Sequence, residues 1–207
     1  MKKERKDIFM EKVEPIEEIN QNAKEDKKIG KLEKVQIIAV IFSLIVGTIL
    51  HFLYKWTGEN GFIASFSAIN ESVWEHLKLV FFPMLVAGII EYFFVKEITN
   101  NYLEAKTIGI FTSIAFIVVF FFTYTGILGT NFFLIDILTF VISILLGEWV
   151  SYKLMIRDDE STVTTKVLST VIIAILLFSF IICTYIPPMV NLFKDPTNGM
   201  YGIITEK

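Results

Sequence analysis

Residues 35–54 read VQIIAVIFSLIVGTILHFLY, twenty consecutive positions without a charged side chain. At a rise of about 1.5 Å per residue, such a run carries a helix across a hydrocarbon core of about 30 Å. Four further stretches qualify by length and near-absence of charge: 77–95, 107–124, 132–152 and 167–186, the last stopped by Pro187 and Pro188. Their apolar character is continuous; it does not alternate at every second residue as a membrane barrel requires. The chain is therefore expected to be an all-α integral membrane protein with five transmembrane helices. Pro83 removes one backbone hydrogen bond from the second span and predicts a kink there, while Gly47, Gly88, Gly109 and Gly147 read as positions where helices approach closely.

With 54% apolar residues, 20 phenylalanines and a mean hydropathy of +0.60, the 207 residues suit no ordinary soluble domain, yet 20% are charged. The charges are segregated. Residues 1–34 hold ten Lys or Arg and nine Asp or Glu, which divides the chain into a polar tail (1–34), a membrane domain (35–186) and a second tail (187–207). The first tail has scattered apolar positions (Ile8, Phe9, Val13, Ile16, Ile19) interrupted by Pro15, and reads as a solvated segment or a peripheral amphipathic helix. Its basic residues are interleaved with acidic ones instead of forming a cationic stripe, so no nucleic-acid partner is expected. The expected partner is the lipid bilayer, and the pattern carries no oligomeric state. The first apolar run starts too late and runs too long for a cleaved signal peptide, and the lone Cys183 has no partner for an intrachain disulfide.

Fifteen Lys or Arg fall in the first tail and in the segments after the second and fourth spans; four (Lys55, Lys78, Lys194, Lys207) fall on the opposite side. Cytoplasmic segments retain more of these residues, so the amino terminus is expected inside and the carboxyl terminus outside the cell membrane.

Helical rise then sorts the polar groups into two layers. His51, Asn70, Glu71, Glu75, His76 and Asp136, with Asn131 beside them, share the outer depth; Glu91 and Glu148 lie towards the cytoplasm, about 22 Å from His76 and about 18 Å from Asp136 respectively. The stretch Asn70-Glu71-Ser72-Val73-Trp74-Glu75-His76-Leu77-Lys78 is the densest in chemistry. On a helix, Glu71, Glu75 and Lys78 share a face with His76 turned about 100° away. Ser72 with Glu75 matches a capping box, Trp74 suits an interfacial belt, and Lys78 can snorkel.

Two imidazoles with two or three carboxylates form a ligand set for a divalent metal, the one cofactor the residues suggest, although no HExxH or paired-Cys spacing singles it out. His76 and intramembrane carboxylates suit an ion- or proton-coupled carrier equally well. Whether the chain is an enzyme stays open. Glu91 and Glu148 either face each other around a polar interior or pair with Lys96, Lys153 or Arg157 at the boundary. No phosphate-cradling glycine loop or Gly-x-Ser-x-Gly elbow supports nucleotide hydrolysis or serine-hydrolase chemistry. The tail from Pro187 to Ile203 contains two turn signals, Asp195-Pro196 and Asn198-Gly199, and lies on the side of the outer cluster as a flap or a lid.

His51-Phe52, Gly61-Phe62, the block Asn70 to Lys78, Phe81-Phe82-Pro83, Leu192-Phe193-Lys194-Asp195-Pro196 and Tyr201-Gly202-Ile203 together resemble a family of small uncharacterised bacterial multi-pass membrane proteins, a domain of unknown function, over residues 35–203. That resemblance implies the fold and no catalytic or binding role. A fainter similarity links Ser72, His76 and Asp136 to membrane metal-dependent hydrolases that include alkaline ceramidases. Those proteins also carry a late His-x-x-x-His, and this chain has no histidine after His76.

Overall fold

A computed structural model of the chain describes residues 16–203; residues 1–15 and 204–207, with the reading of Ile8, Phe9, Val13 and Pro15, lie outside the described residues. Among the described residues six α-helices follow one another: α1 Ile16–Trp56, the one-turn α2 Gly61–Ala64, α3 Val73–Val95, α4 Tyr102–Leu128, α5 Phe133–Arg157 and α6 Val163–Tyr185, followed by a 3-10 turn at Asn191–Phe193. All but α2 are long and apolar enough to cross a membrane, so the five expected spans are all present.

Four of the five spans begin upstream of their apolar runs, because hydrophobicity does not set where a helix starts; two of the four starts, those of α3 and α6, are fixed by side-chain caps. At α3 the Ser72 hydroxyl accepts the Glu75 amide at 3.3 Å. At α6 Thr162 and Thr165 form a reciprocal capping box. The early starts bring Glu75, His76 and Lys106 inside helices, Lys106 through the start of α4 at Tyr102 instead of Thr107.

The bundle is arranged around α3, which packs against α1, α4, α5 and α6. Its most apolar window is 61% buried, against 17–39% in the other spans. Val80, Phe81, Phe82 and Met84 form the core with Phe180 of α6, while Phe93, Phe111 and Phe133 stay exposed on the perimeter where lipid tails would solvate them. Pro83 is accommodated within α3, which continues through it.

Small residues let two backbones touch. A Cβ added to Gly109 would lie 2.6 Å from the Gly147 carbonyl oxygen, and one added to Gly147 would overlap Ser113 Oγ. This is the close helix approach that small residues permit in membranes, and it joins α4 to α5. Gly47 of α1 does the same against the Leu79 carbonyl and the Phe140 ring.

The 41 residues of α1 span about 60 Å, twice a hydrocarbon core. The polar stretch before Val35, expected as a solvated tail or a peripheral amphipathic helix, is helical from Ile16 and continuous with the first span. It docks on the amino-terminal face of the bundle: Leu32 is fully buried among Val95, Tyr102, Ala105 and Met155, and Tyr152 donates to Glu33 at 2.7 Å. Lys28 bonds Asp158 at 2.6 Å, and the Asn100 amide donates to the same carboxylate at 2.6 Å.

Burial alone would push the Asp158 carboxyl up, but the bonds from Lys28 and Asn100 outweigh it and hold the group below its ordinary value of 3.8. A carboxyl depressed in the folded state contributes stability above its unfolded value and loses it as pH falls through the folded one. Protection factors of residues 24–34, with each rate referred to the intrinsic exchange rate at the same pH, should therefore stay constant from neutral pH down to about 5 and fall as pH drops below about 3.8. Asp158 terminates α5 at φ 48°, a conformation asparagine also tolerates, so Asp158→Asn should lower these protection factors at neutral pH and flatten their acid dependence. Identical profiles for the two proteins would contradict the clamp.

Candidate functional site

The opposite, carboxyl-terminal face is built by a chain segment that leaves α1, turns through α2 and folds back before entering α3. Asn60 starts α2 by accepting the Phe62 and Ile63 amides at 2.9 and 3.3 Å. The Ser67 hydroxyl accepts the Tyr54 amide at 3.0 Å and donates to the Leu50 carbonyl, which pins the segment to the turn of α1 that carries His51.

Beneath it lies a buried ion pair. The Lys78 ammonium, fully buried, pairs with Glu75 and donates to the Ala64 carbonyl at 2.8 Å and to Thr184 Oγ1 of α6 at 2.9 Å. Glu75 also accepts the Ile69 amide at 3.1 Å. Lys78 thus does not snorkel, and Glu75 completes no capping box, since the Ser72 amide goes instead to Asn70 Oδ1 at 2.9 Å. The half-buried Trp74 ring packs between Phe180 and Phe193, 4.6 Å from each. Glu71 precedes the helix and so shares no helical face with Glu75 and Lys78.

Above the ion pair, three side chains converge. His51 on α1, Glu71 before α3 and His76 in its first turn can each present one ligand atom, all within 4.8 Å of one another. The imidazole rings lie 5.2 Å apart between centroids, and His76 Nε2 is 3.5 Å from Glu71 Oε2. The other nitrogen of His76, Nδ1, sits 2.9 Å from the Ser72 carbonyl oxygen. A carbonyl oxygen only accepts, so Nδ1 carries the N–H, and Nε2, the nitrogen that faces Glu71, is the one free to serve as a ligand atom. His51 Nδ1 is buried without a hydrogen-bond partner. The side chains of His76 and Glu71 remain 34% and 41% exposed, enough for a small ligand to arrive from outside the bundle.

The other three residues expected in the outer layer are engaged elsewhere. Asn70 Nδ2 donates to the Gly202 carbonyl at 3.2 Å, Glu75 holds Lys78, and Asp136 accepts bonds from Tyr124 and, at 2.9 Å, from Asn131.

The segment after α6 folds over this face. Asp195, 3% exposed, is its hub: it accepts from Thr197 and Asn198 within the turn and from the Glu71 amide at 3.3 Å. Burial alone would push the Asp195 carboxyl up; these donors outweigh it and hold the group below the ordinary aspartate range. Phe193 closes against Trp74. The Asp195-Pro196 and Asn198-Gly199 signals announced these turns, but nothing in their spacing announced Glu71 as the contact.

The second polar layer has a partner that the sequence reading did not name. Glu91 and Glu148 face each other around Lys106 of α4, which contacts each carboxylate at 2.6 Å; Lys96, Lys153 and Arg157 take no part. Tyr102 donates to Glu91 at 3.2 Å and Gln36 of α1 does so at 2.5 Å. The one amide inside the first apolar run, Gln36, was the available signal.

A family described as a family of unknown function (DUF6512) matches residues 24–203. No curated protein and no solved structure matches the chain.

Proposed function

The chain belongs to that family of unknown function, and we propose that it is a multi-pass membrane protein that binds one divalent transition-metal ion on its outer face through His51, Glu71 and His76. The observation that carries this reading is the His76 ring: Nδ1 is committed to the Ser72 carbonyl and Nε2 is aimed at Glu71. A metal-ligating histidine is oriented in this way, its second nitrogen fixed by a backbone carbonyl.

Spacing supports the same reading. Tetrahedral zinc with nitrogen and oxygen ligands sets them about 3.4 Å apart, and His76 Nε2 to Glu71 Oε2 is 3.5 Å. The widest separation in the set, within 4.8 Å, closes with at most about 1.4 Å of side-chain movement. Two imidazoles and one carboxylate suit zinc over calcium or magnesium, and three protein ligands leave a fourth position open. When bound, such an ion supplies Lewis acidity and an acidified water. The protein's part is to hold the ligands: Ser72 fixes the His76 ring, Ser67 the His51 turn and Asp195 the Glu71 backbone.

Binding is favoured over hydrolysis by what the neighbouring groups are doing. The two further residues of the ceramidase-like pattern have structural work, Ser72 Oγ capping α3 through the Glu75 amide and Asp136 accepting from Tyr124 and Asn131.

Chelator-stripped protein dialysed against zinc should retain one ion per chain by elemental analysis. His51→Gln, Glu71→Gln and His76→Gln should each weaken binding by about a hundredfold or more. Retention equal to wild type in the triple variant would overturn the reading.

Orientation follows from the lysine and arginine bias, from which one residue on each side, Lys106 and Lys78, drops out as buried. Met200 is exposed on the same face as the site. In a Cys183→Ser background, Met200→Cys should react with an impermeant maleimide on intact cells, and protection until lysis would place the site in the cytoplasm.

A further inference from the structure

The second polar layer carries a charge that its own residues do not balance. Glu91, Lys106 and Glu148 are 2%, 4% and 2% exposed, in the interior of a bundle whose perimeter is apolar. Two carboxylates meet one ammonium, so the fully ionised cluster carries one formal negative charge. The remaining polar groups packed on it are neutral: Gln36 from α1 and Tyr102 from α4. Among the described residues no other charged side chain contacts either carboxylate. An unbalanced charge in low dielectric is expensive, and natural membrane proteins keep one only where something neutralises it.

The two carboxylates differ in how they are served. Glu91 is saturated: Oε1 accepts from Gln36, and Oε2 from Lys106 and Tyr102. Glu148 spends only Oε2 on Lys106, and its Oε1 is buried with no partner. Three more buried oxygens beside the cluster are unpartnered, Gln36 Oε1, the hydroxyl of Thr107, next to Lys106 on α4, and that of Ser151, one turn beyond Glu148 on α5; of the four, only Glu148 Oε1 belongs to a carboxylate. The missing charge and the missing contact therefore fall on the same atom.

We propose that the Glu91–Lys106–Glu148 cluster binds one monovalent cation at Glu148 Oε1, with Lys106 holding the two carboxylates together beneath it. The shared chemistry is a single positive charge placed on a carboxylate oxygen, and a sodium ion and a proton are its two sources. This site is separate from the histidine cluster and stands whether or not that cluster holds metal.

The full chain in lipid nanodiscs provides the test. Thermal unfolding is followed at fixed pH and ionic strength while sodium replaces choline. Infrared difference spectra of wild type against Glu148→Gln are recorded at neutral pH. A sodium source predicts that the melting temperature rises with sodium and that Glu148→Gln, which removes the excess charge and keeps the shape, abolishes the rise. A proton source predicts no sodium response and a carboxylic-acid carbonyl band that disappears in Glu148→Gln. Should that variant not fold, Glu91→Gln removes the same charge, and the sodium series on wild type still decides the first source. Wild type with neither a sodium response nor a carboxylic-acid band would overturn the proposal, since both carboxylates would then be ionised and unneutralised.

Discussion

Lys78→Met should lose about 3–5 kcal/mol of stability, the largest effect of any single exchange on the outer face. The ammonium is fully buried and makes three contacts, to Glu75, the Ala64 carbonyl and Thr184. Deleting it leaves a buried carboxylate with the Ile69 amide and no counter-charge. Breaking a buried pair from one side is far costlier than replacing both partners, so the double variant Glu75→Gln with Lys78→Met should recover much of the loss. Thermal unfolding in detergent reads both. A Lys78→Met protein melting within a degree of wild type would mean that the pair does not hold the α2 segment down.

The same exchange, glycine to alanine, should have opposite signs at two positions. A Cβ on Gly147 overlaps Ser113 Oγ and lies 2.5 Å from the Gly109 carbonyl oxygen, part of the facing backbone, which cannot rotate away. Gly147→Ala should cost about 1–3 kcal/mol by forcing α4 and α5 apart. Gly126, near the end of α4, has nothing within 4 Å of its would-be Cβ. There alanine should be neutral or stabilise by up to about 1 kcal/mol through helix propensity. Equal effects at the two positions would show that backbone contact between α4 and α5 is not what joins them.

The spans were legible because hydrophobic length is a property of the chain alone. Residue 35 marked where α1 becomes apolar but not where it begins, since helix and membrane need not start together. The four glycines were readable as close-packing positions, and all four meet a neighbouring helix closely, Gly88 through the Lys106 side chain of α4 at 3.1 Å. Partners were harder. Depth alone grouped Asp136 with His51, because rise along a helix carries no information about rotation; Tyr124 and Asn131 claim that carboxylate within its own hairpin. Lys106 was counted as a loop cation because the start of α4 is set by chain packing near Asn101 and not by hydropathy. Trp74 looked interfacial by type and instead packs between Phe180 of α6 and Phe193, both from more than a hundred residues away. Of the block from Asn70 to Lys78, what the sequence could not separate was structural charge, in Glu75 and Lys78, from the groups left facing outward, Glu71 and His76.

The most direct test of the outer-face site is X-ray absorption spectroscopy of the zinc-loaded protein. Zinc held by His51, Glu71 and His76 should show a first shell of nitrogen and oxygen at about 2.0–2.1 Å with outer-shell scattering from two imidazoles, falling to one in His76→Gln. A zinc shell of oxygen alone, or two-imidazole scattering that survives in His76→Gln, would contradict it.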